Sequence, residues 1–252
     1  MKAVAVVPVF NHAGAVGEVL RALRGNGLPV ILVDDGSDAD EARLLDDLAA
    51  RLPDDPSKPP VVLARHEENR GKGAAVMTGL VLAGELHATH ALQVDADGQH
   101  DPAAIPRFLS AAAANPGAII AGFPRYDASV PRGRLFARYI THVWVWINTL
   151  SRSIRDSMCG FRVYPLAATL PLLPALRHAT RMDFDTEVIV RLAWAGVPIL
   201  NLPVAVRYPP GGISHFRLWR DNLRLSAMHA RLFFGMLSRL PLLAARHFGK
   251  GS

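Results

Sequence analysis

The run His90-Ala91-Leu92-Gln93-Val94-Asp95-Ala96-Asp97-Gly98-Gln99-His100-Asp101-Pro102 changes character at its midpoint. Residues 90–94 are mostly apolar and short enough for a buried strand, and Asp95 to His100 are almost all polar. Asp101-Pro102 then has the composition of a helix start, an aspartate cap followed by proline in the first turn. An apolar strand, an acidic strand end and a helix start in succession are the grammar of an α/β fold.

The same grammar extends outward in both directions. Residues 3–9, 30–33, 61–64 and 118–121 are further β-branched or small apolar runs, and 13–24, 40–51, 73–85 and 102–114 are amphipathic helical stretches between them. Strand–helix alternation at this spacing predicts a single, mostly parallel Rossmann-like sheet with helices on both faces. The proline-rich stretch 53–60 reads as a loop, and nothing repeats internally. With 252 residues, half of them hydrophobic and a fifth charged, the chain has ample material for a core.

In an open α/β sheet, ligands bind beyond the carboxyl ends of the strands. Four consecutive strand ends here are polar: Phe10-Asn11, Asp34-Asp35-Gly36-Ser37, Glu68-Asn69-Arg70-Gly71-Lys72-Gly73 and Asp95-Ala96-Asp97-Gly98-Gln99-His100. Asp95 and Asp97 can face one divalent ion, and hard carboxylate oxygens suit Mg²⁺ or Mn²⁺, which would neutralise a diphosphate leaving group. The plainer reading of the pair is a solvated acidic turn. Asp34-Asp35 is either a turn or a base or ribose contact, and 69–73 has the glycines and helix start of a phosphate cradle. A Walker spacing is absent, and so is a Gly-x-Gly-x-x-Gly after the first strand, which counts against a P-loop ATPase and a dinucleotide dehydrogenase.

Charge is unevenly spread. The chain carries +6 overall, yet residues 207–252 hold eight Lys or Arg and one acid, Asp221, so the remainder is near neutral. Residues 216–240 place Arg217, Arg220, Arg224 and Arg231 at helical spacing, with Trp219, Leu223, Phe233, Leu237 and Leu240 on another side. Residues 132–155 add Phe136, Tyr139, Trp144, Trp146 and five arginines without an acid. Both segments suit a membrane surface, with aromatics at headgroup depth and arginines on anionic lipid. The alternative is packing on the sheet or on a second copy of the chain, giving a homodimer. A nucleic-acid partner is not expected, since no recognised binding module accompanies the charge. The single cysteine, Cys159, no visible signal peptide and no uncharged apolar run of roughly 18 residues predict a cytoplasmic protein, soluble or peripheral to the inner face of the membrane.

Taken together, the motifs at 7–11, 33–37, 69–74 and 95–100 resemble family 2 glycosyltransferases of the GT-A fold, nearest to the dolichyl- or polyprenyl-phosphate mannose synthase group. The resemblance spans roughly residues 3–215, and the tail is more like that of small bacterial enzymes of the family suspected of glycosylating lipids. It implies a transferase domain over 1–215, with a nucleotide-binding half to about 101 and an acceptor half beyond, followed by a basic amphipathic helical tail, 216–252. It implies contacts to the nucleotide-sugar from Pro8, Phe10, Val33, Asp35, Lys72, Asp95, Ala96, Asp97, Arg125, Arg207 and His215. Asp95, Asp97 and Gln99 correspond to its metal-associated positions. Arg162, in the segment 156–164, becomes a ligand for an acceptor phosphate, and guanidinium suits that role. Arg207 and His215 flank a loop that closes over the diphosphate.

The implied reaction is an inverting transfer of a sugar from a nucleotide-sugar to a lipid or lipid-phosphate acceptor. A phosphate acceptor is already an oxyanion, whereas a hydroxyl acceptor, as on a polysaccharide, needs a base. Asp156, Asp185 and Glu187 are the residues available, though Glu187 is rather better explained as a structural partner of an arginine than as a base. Two positions depart from the resemblance: His12 replaces a glutamate, which questions a GDP-linked donor, and His215 replaces a lysine, as a metal or diphosphate contact or a surface residue. Competing readings are a nucleotidyltransferase, which would want a glycine-rich Arg/Lys loop after the first strand, and a non-catalytic nucleotide-sugar-binding scaffold, which would have no need of Asp95 and Asp97.

Overall fold

The computed structural model describes residues 1–51, 57–126, 132–206 and 218–248. The strands are β1 (Ala3–Val9), β2 (Val30–Asp34), β3 (Val61–Arg65), β4 (His90–Gln93), β5 (Ile119–Tyr126), β6 (Arg162–Pro165) and β7 (Ile199–Val206). The helices are α1 (Ala13–Gly25), α2 (Ala39–Arg51), α3 (Lys72–Glu85), α4 (Ile105–Ala114), α5 (Arg132–Thr149), α6 (Leu166–Thr169), α7 (Phe184–Trp194), α8 (Leu218–Leu237) and α9 (Leu240–Phe248). The strands form one seven-stranded sheet in the order β3-β2-β1-β4-β6-β5-β7. Every pairing is parallel except those of β6, which runs against both β4 and β5.

Period-two alternation sorts each strand between two cores. In β1, Val4 and Val6 face a cluster containing Val76 and Leu80 of α3, Phe184 and Val188 of α7, Val145 of α5 and Met228 and Leu232 of α8. Ala5, Val7 and Val9 face the opposite cluster, with Leu20 and Leu23 of α1 and Phe108 of α4. The mostly parallel, doubly covered sheet expected from the sequence is therefore the one observed.

Two elements differ from expectation. Strand β6 went unread, because four residues starting with arginine carry no apolar run; it is a strand only because β4 and β5 flank it. The basic tail is not one helix to residue 240 but two, α8 and α9, joined at Ser238-Arg239. It is also no loose appendage, for Met228, Leu232, Met236 and Leu243 are buried in the same core as Phe184.

Candidate active site

The polar strand ends expected from the sequence lie along the carboxyl edge of β1, β2, β3 and β4. The end of β1 is tied to the end of β2: Asn11 donates from its backbone N to Ser37 Oγ, and its side chain exchanges two hydrogen bonds with Asp38. Pro8 is buried at the end of β1 and Phe10 is half-buried beyond it. Val33 is wholly buried in the core against α3, which places it behind this edge and not on its surface. His12 turns its Nδ1 to the Phe10 carbonyl, 3.0 Å away.

Asp35, to which the resemblance gives a nucleotide contact, has a buried carboxylate that accepts from the backbone N–H of Arg70 (3.0 Å) and of Gly71 (2.7 Å) and lies 2.7 Å from His66 Nδ1. It staples the 69–71 loop to the sheet. In the 69–74 segment expected to cradle phosphate, the Arg70 and Gly71 amides donate to Asp35 and the Ala74 amide to the Thr180 carbonyl, 2.9 Å away. Gly71 has φ 104°, and a Cβ there would collide with the Thr180 carbonyl, so this glycine serves close packing against the segment before α7.

That packing aims Lys72 at the centre of the site. Its Nζ donates to Asp95 Oδ2 and to Asp185 Oδ2, each at 2.9 Å. It also lies 2.7 Å from Asp95 Oδ1, so one ammonium spans both oxygens of that carboxylate. Burial alone would favour the neutral amine, but Asp185 and Asp95 outweigh it and hold the Lys72 pKa above its usual range. Lys72 in turn overcomes the effect of burial on Asp95 and keeps that carboxyl below its ordinary value. Asp97 shifts the other way, raised by burial and by the neighbouring Asp95 charge. Gln99 contributes its backbone N–H to Asp97 Oδ1 at 3.0 Å.

The donor set fits a hard divalent cation: two partly exposed carboxylates two residues apart beyond a strand end, with both oxygens of Asp95 already gathered on a cation, the Lys72 ammonium. No cluster of three His, Cys, Asp or Glu exists among the described residues, so Asp95 and Asp97 would hold the ion with oxygens from the substrate. Gly160 is needed here, since a Cβ would stand 2.5 Å from both Asp95 oxygens.

In the acceptor half, Arg162 is the residue to which the resemblance gives a phosphate ligand's role. Arg162 lies in β6, the antiparallel strand between β4 and β5, opposite Gln93 of β4 and Ala121 of β5. Its side chain is 0% exposed and donates to the carbonyls of Asp185 (2.5 Å) and Ser157 (2.6 Å). It braces the start of α7 from within the protein and has no surface to offer a phosphate.

The arginine on that side is Arg138 of α5, which grips Asp156 through Nε (2.5 Å) and Nη2 (2.7 Å). Asp156 Oδ1 also accepts from the Met158 and Cys159 amides, both at 2.8 Å. Burial opposes ionisation of Asp156, but Arg138 prevails and the carboxyl stays below its usual range. Glu187 is 1% exposed and paired with Arg191 (2.6 Å) and with Arg231 of α8 (3.0 Å). Each acid considered as a base is thus engaged by a cation of the protein itself. Arg231, expected on the basic stripe of the tail, reaches across to Glu187 with its side chain still 38% exposed; Arg224 is exposed, and the side chains of Arg217 and Arg220 lie outside the described residues. Arg125 is exposed at the end of β5, while Arg207 and His215 also lie outside the described residues.

Three contributors went unread in the sequence. Gln93 donates to Asp185 Oδ1 (3.0 Å) and accepts from Tyr164 Oη (2.8 Å), tying β4 and β6 to α7. A glutamine inside an apolar strand was the available signal, because a buried amide must find partners. His100 packs on Phe161, its Nε2 3.5 Å from Cys159 Sγ, and burial lowers its pKa. Burial pushes the Cys159 thiol up to about 12, with Asp156 adding to the effect, so it is inert at neutral pH. Arg138 had no distinguishing mark among five arginines.

Comparison with known proteins agrees with this layout. Residues 4–168 match the family described as Glycosyl transferase family 2. A UDP-N-acetylglucosamine–dolichyl-phosphate N-acetylglucosaminyltransferase of Methanococcus voltae is 25% identical over 81% of this chain and 84% of the relative. An undecaprenyl-phosphate 4-deoxy-4-formamido-L-arabinose transferase of Klebsiella pneumoniae is 33% identical over 78% of this chain, which spans only 58% of that protein. The glucosyl-3-phosphoglycerate synthase of Mycobacterium tuberculosis, solved with Mn²⁺ and UDP-glucose, superposes with a TM-score of 0.63 at 15% identity, over 94% of this chain and 78% of the synthase. With an acidic strand end on a GT-A sheet and a family match over well over half its length, the chain belongs to glycosyl transferase family 2 and is a glycosyltransferase.

Proposed function

We propose that this glycosyltransferase moves a sugar from a nucleotide diphosphate to a polyprenyl phosphate at a membrane surface, with a divalent cation at Asp95 and Asp97. The observation that carries the acceptor class is the pairing of Asp156 with Arg138, Asp185 with Lys72 and Glu187 with Arg191 and Arg231. A hydroxyl acceptor needs a carboxylate free to take its proton, whereas a phosphate acceptor attacks as the oxyanion it already is. In the attack, the acceptor oxygen forms a bond to the anomeric carbon as the bond from that carbon to the diphosphate oxygen breaks. The electron pair leaves with the diphosphate, and the sugar inverts. When bound, Mg²⁺ or Mn²⁺ supplies charge neutralisation of that leaving group. Lys72 and the exposed Arg125 add positive charge from the chain, with Arg207 and His215 proposed to do so from outside the described residues. Pro8, Phe10 and Ala96 are proposed to border the nucleotide, while Val33 and Asp35 hold that border in place.

Both relatives are named for a polyprenyl phosphate, and the synthase was solved with Mn²⁺ and a nucleotide sugar. The surface supports a lipid-facing site. Ile140, Trp144 and Ile147 of α5 and Phe234 and Leu237 of α8 are exposed, and Trp144 meets Phe233 edge-on across the two helices at 6.4 Å. No described helix is long and apolar enough to cross a membrane, so these faces would lie on the bilayer.

A thermal-shift titration of UDP-, GDP- and dTDP-sugars with and without Mn²⁺ tests the donor site: a ligand at 100 times its Kd adds about 2.7 kcal/mol. Stabilisation by none of them overturns the proposal. Transfer to a polyprenyl phosphate but not to the matching polyprenol is the expected acceptor result, and equal transfer to both sinks the oxyanion argument. Replacing Phe234 and Leu237 by glutamate should weaken co-sedimentation with anionic vesicles several-fold; unchanged binding removes the membrane from the proposal.

A further inference from the structure

We propose that Lys72 is a built-in competitor for the divalent cation, which it yields to by shifting from Asp95 onto Asp185. This rests on the reading of Asp95 and Asp97 as the cation site and goes beyond it by assigning a hand-over between two carboxylates.

The geometry is that of a cation already ligated. One ammonium lies 2.7 and 2.9 Å from the two oxygens of Asp95 and 2.9 Å from Asp185 Oδ2. A divalent ion drawn to Asp95 must take those same oxygens, and two cations cannot share a carboxylate face at such distances without strong repulsion. The ammonium must therefore give way, and Asp185 is placed to keep it.

The two carboxylates are not equivalent. Asp185 is held on its other oxygen by Gln93, which Tyr164 holds in turn, and at its own carbonyl by Arg162. Its side chain is 5% exposed, against 21% for Asp95. An ion arriving from solvent meets Asp95 first, and the buried, braced Asp185 is the fixed end of the bridge. Released from Asp95, Lys72 has N–H donors to turn toward an anionic group, and the donor diphosphate is the one the site would bring. The ion and the diphosphate then bind with positive cooperativity, because each relieves the cost the other meets at Lys72.

The test is Mn²⁺ binding, read from the loss of the free-ion electron paramagnetic resonance signal, with and without UDP, on full-length protein checked for folding by circular dichroism. Lys72→Met should bind Mn²⁺ alone about tenfold more tightly than wild type, a shift of about 1.4 kcal/mol, and should lose most of the enhancement by UDP. Asp185→Asn, which leaves Lys72 only Asp95, should weaken Mn²⁺ binding several-fold. A purely structural bridge would weaken binding in both variants, so opposite signs support the hand-over and like signs overturn it. Should Lys72→Met fail to fold, Lys72→Gln keeps a donor for both carboxylates without the charge, and unchanged or weaker Mn²⁺ binding by it overturns the proposal. If wild type and variants all fail to bind Mn²⁺, even with UDP, the cation site itself is wrong, which is a separate failure.

Discussion

Two acid-x-acid pairs stand on either side of Lys72 and have opposite fates. Asp95-Ala96-Asp97 closes a strand; Asp185-Thr186-Glu187 opens a helix. Beyond the end of β4 the chain is free to turn, and both carboxylates stay partly open at the edge of the sheet. On α7, each residue rotates the side chain by about 100°, so positions two apart point to nearly opposite sides. Asp185 accordingly reaches Lys72 and Gln93, while Glu187 reaches Arg191 and Arg231 and anchors α8. The sequence spacing is identical, and the backbone decides whether the two carboxylates stay together at the edge of the sheet or disperse into the protein.

The largest expected effect tests the converging pair. Asp97→Ala should cut turnover by at least about 10²-fold, the scale of losing a group that stabilises transition-state charge, while circular dichroism melting stays close to wild type. A melting loss with turnover retained would reverse the contrast. Next, Glu187→Ala should cost about 2 kcal/mol in urea unfolding, less than the ~3–5 kcal/mol for a fully buried pair because its arginines reach solvent. Turnover per folded molecule should stay within about threefold of wild type; a catalytic collapse with stability intact would move Glu187 into the site.

The smallest effect concerns Asp156, a third acid matched to a cation. Its folded-state pKa is depressed, so the stability it contributes is fully present above its unfolded value of about 3.9 and is lost as pH falls through the folded value. Asp156→Asn should therefore be less stable than wild type at pH 6 and lose less on acidification to pH 3. Parallel pH profiles for the two proteins would mean that Arg138 does not hold Asp156 ionised.

Much of the fold was legible because its signals are local. The apolar runs of β1 to β5 and the amphipathic helices between them follow from alternation and periodicity over a few residues. Strand β6 had no such signal, since Arg162-Val163-Tyr164-Pro165 is a strand by virtue of its neighbours. In the site, the residue types at Asp95, Asp97 and Lys72 were readable, but not their company. Arg162 and Arg138 are chemically the same in a sequence; one is sealed between β4 and β5 and the other faces Asp156 from α5.

The sequence alone determined the α/β class, the polar strand ends and the family to which they belong, because strand pattern, turn chemistry and motif spacing are properties of neighbouring residues. Only the tertiary structure decided which carboxylates are already matched by the protein's own cations. Lys72 meets Asp185 across 113 positions and Glu187 meets Arg231 across 44. Whether an acid keeps its lone pairs for a ligand or spends them on an arginine depends on such distant partners and on burial, and neither is written in the residues beside it.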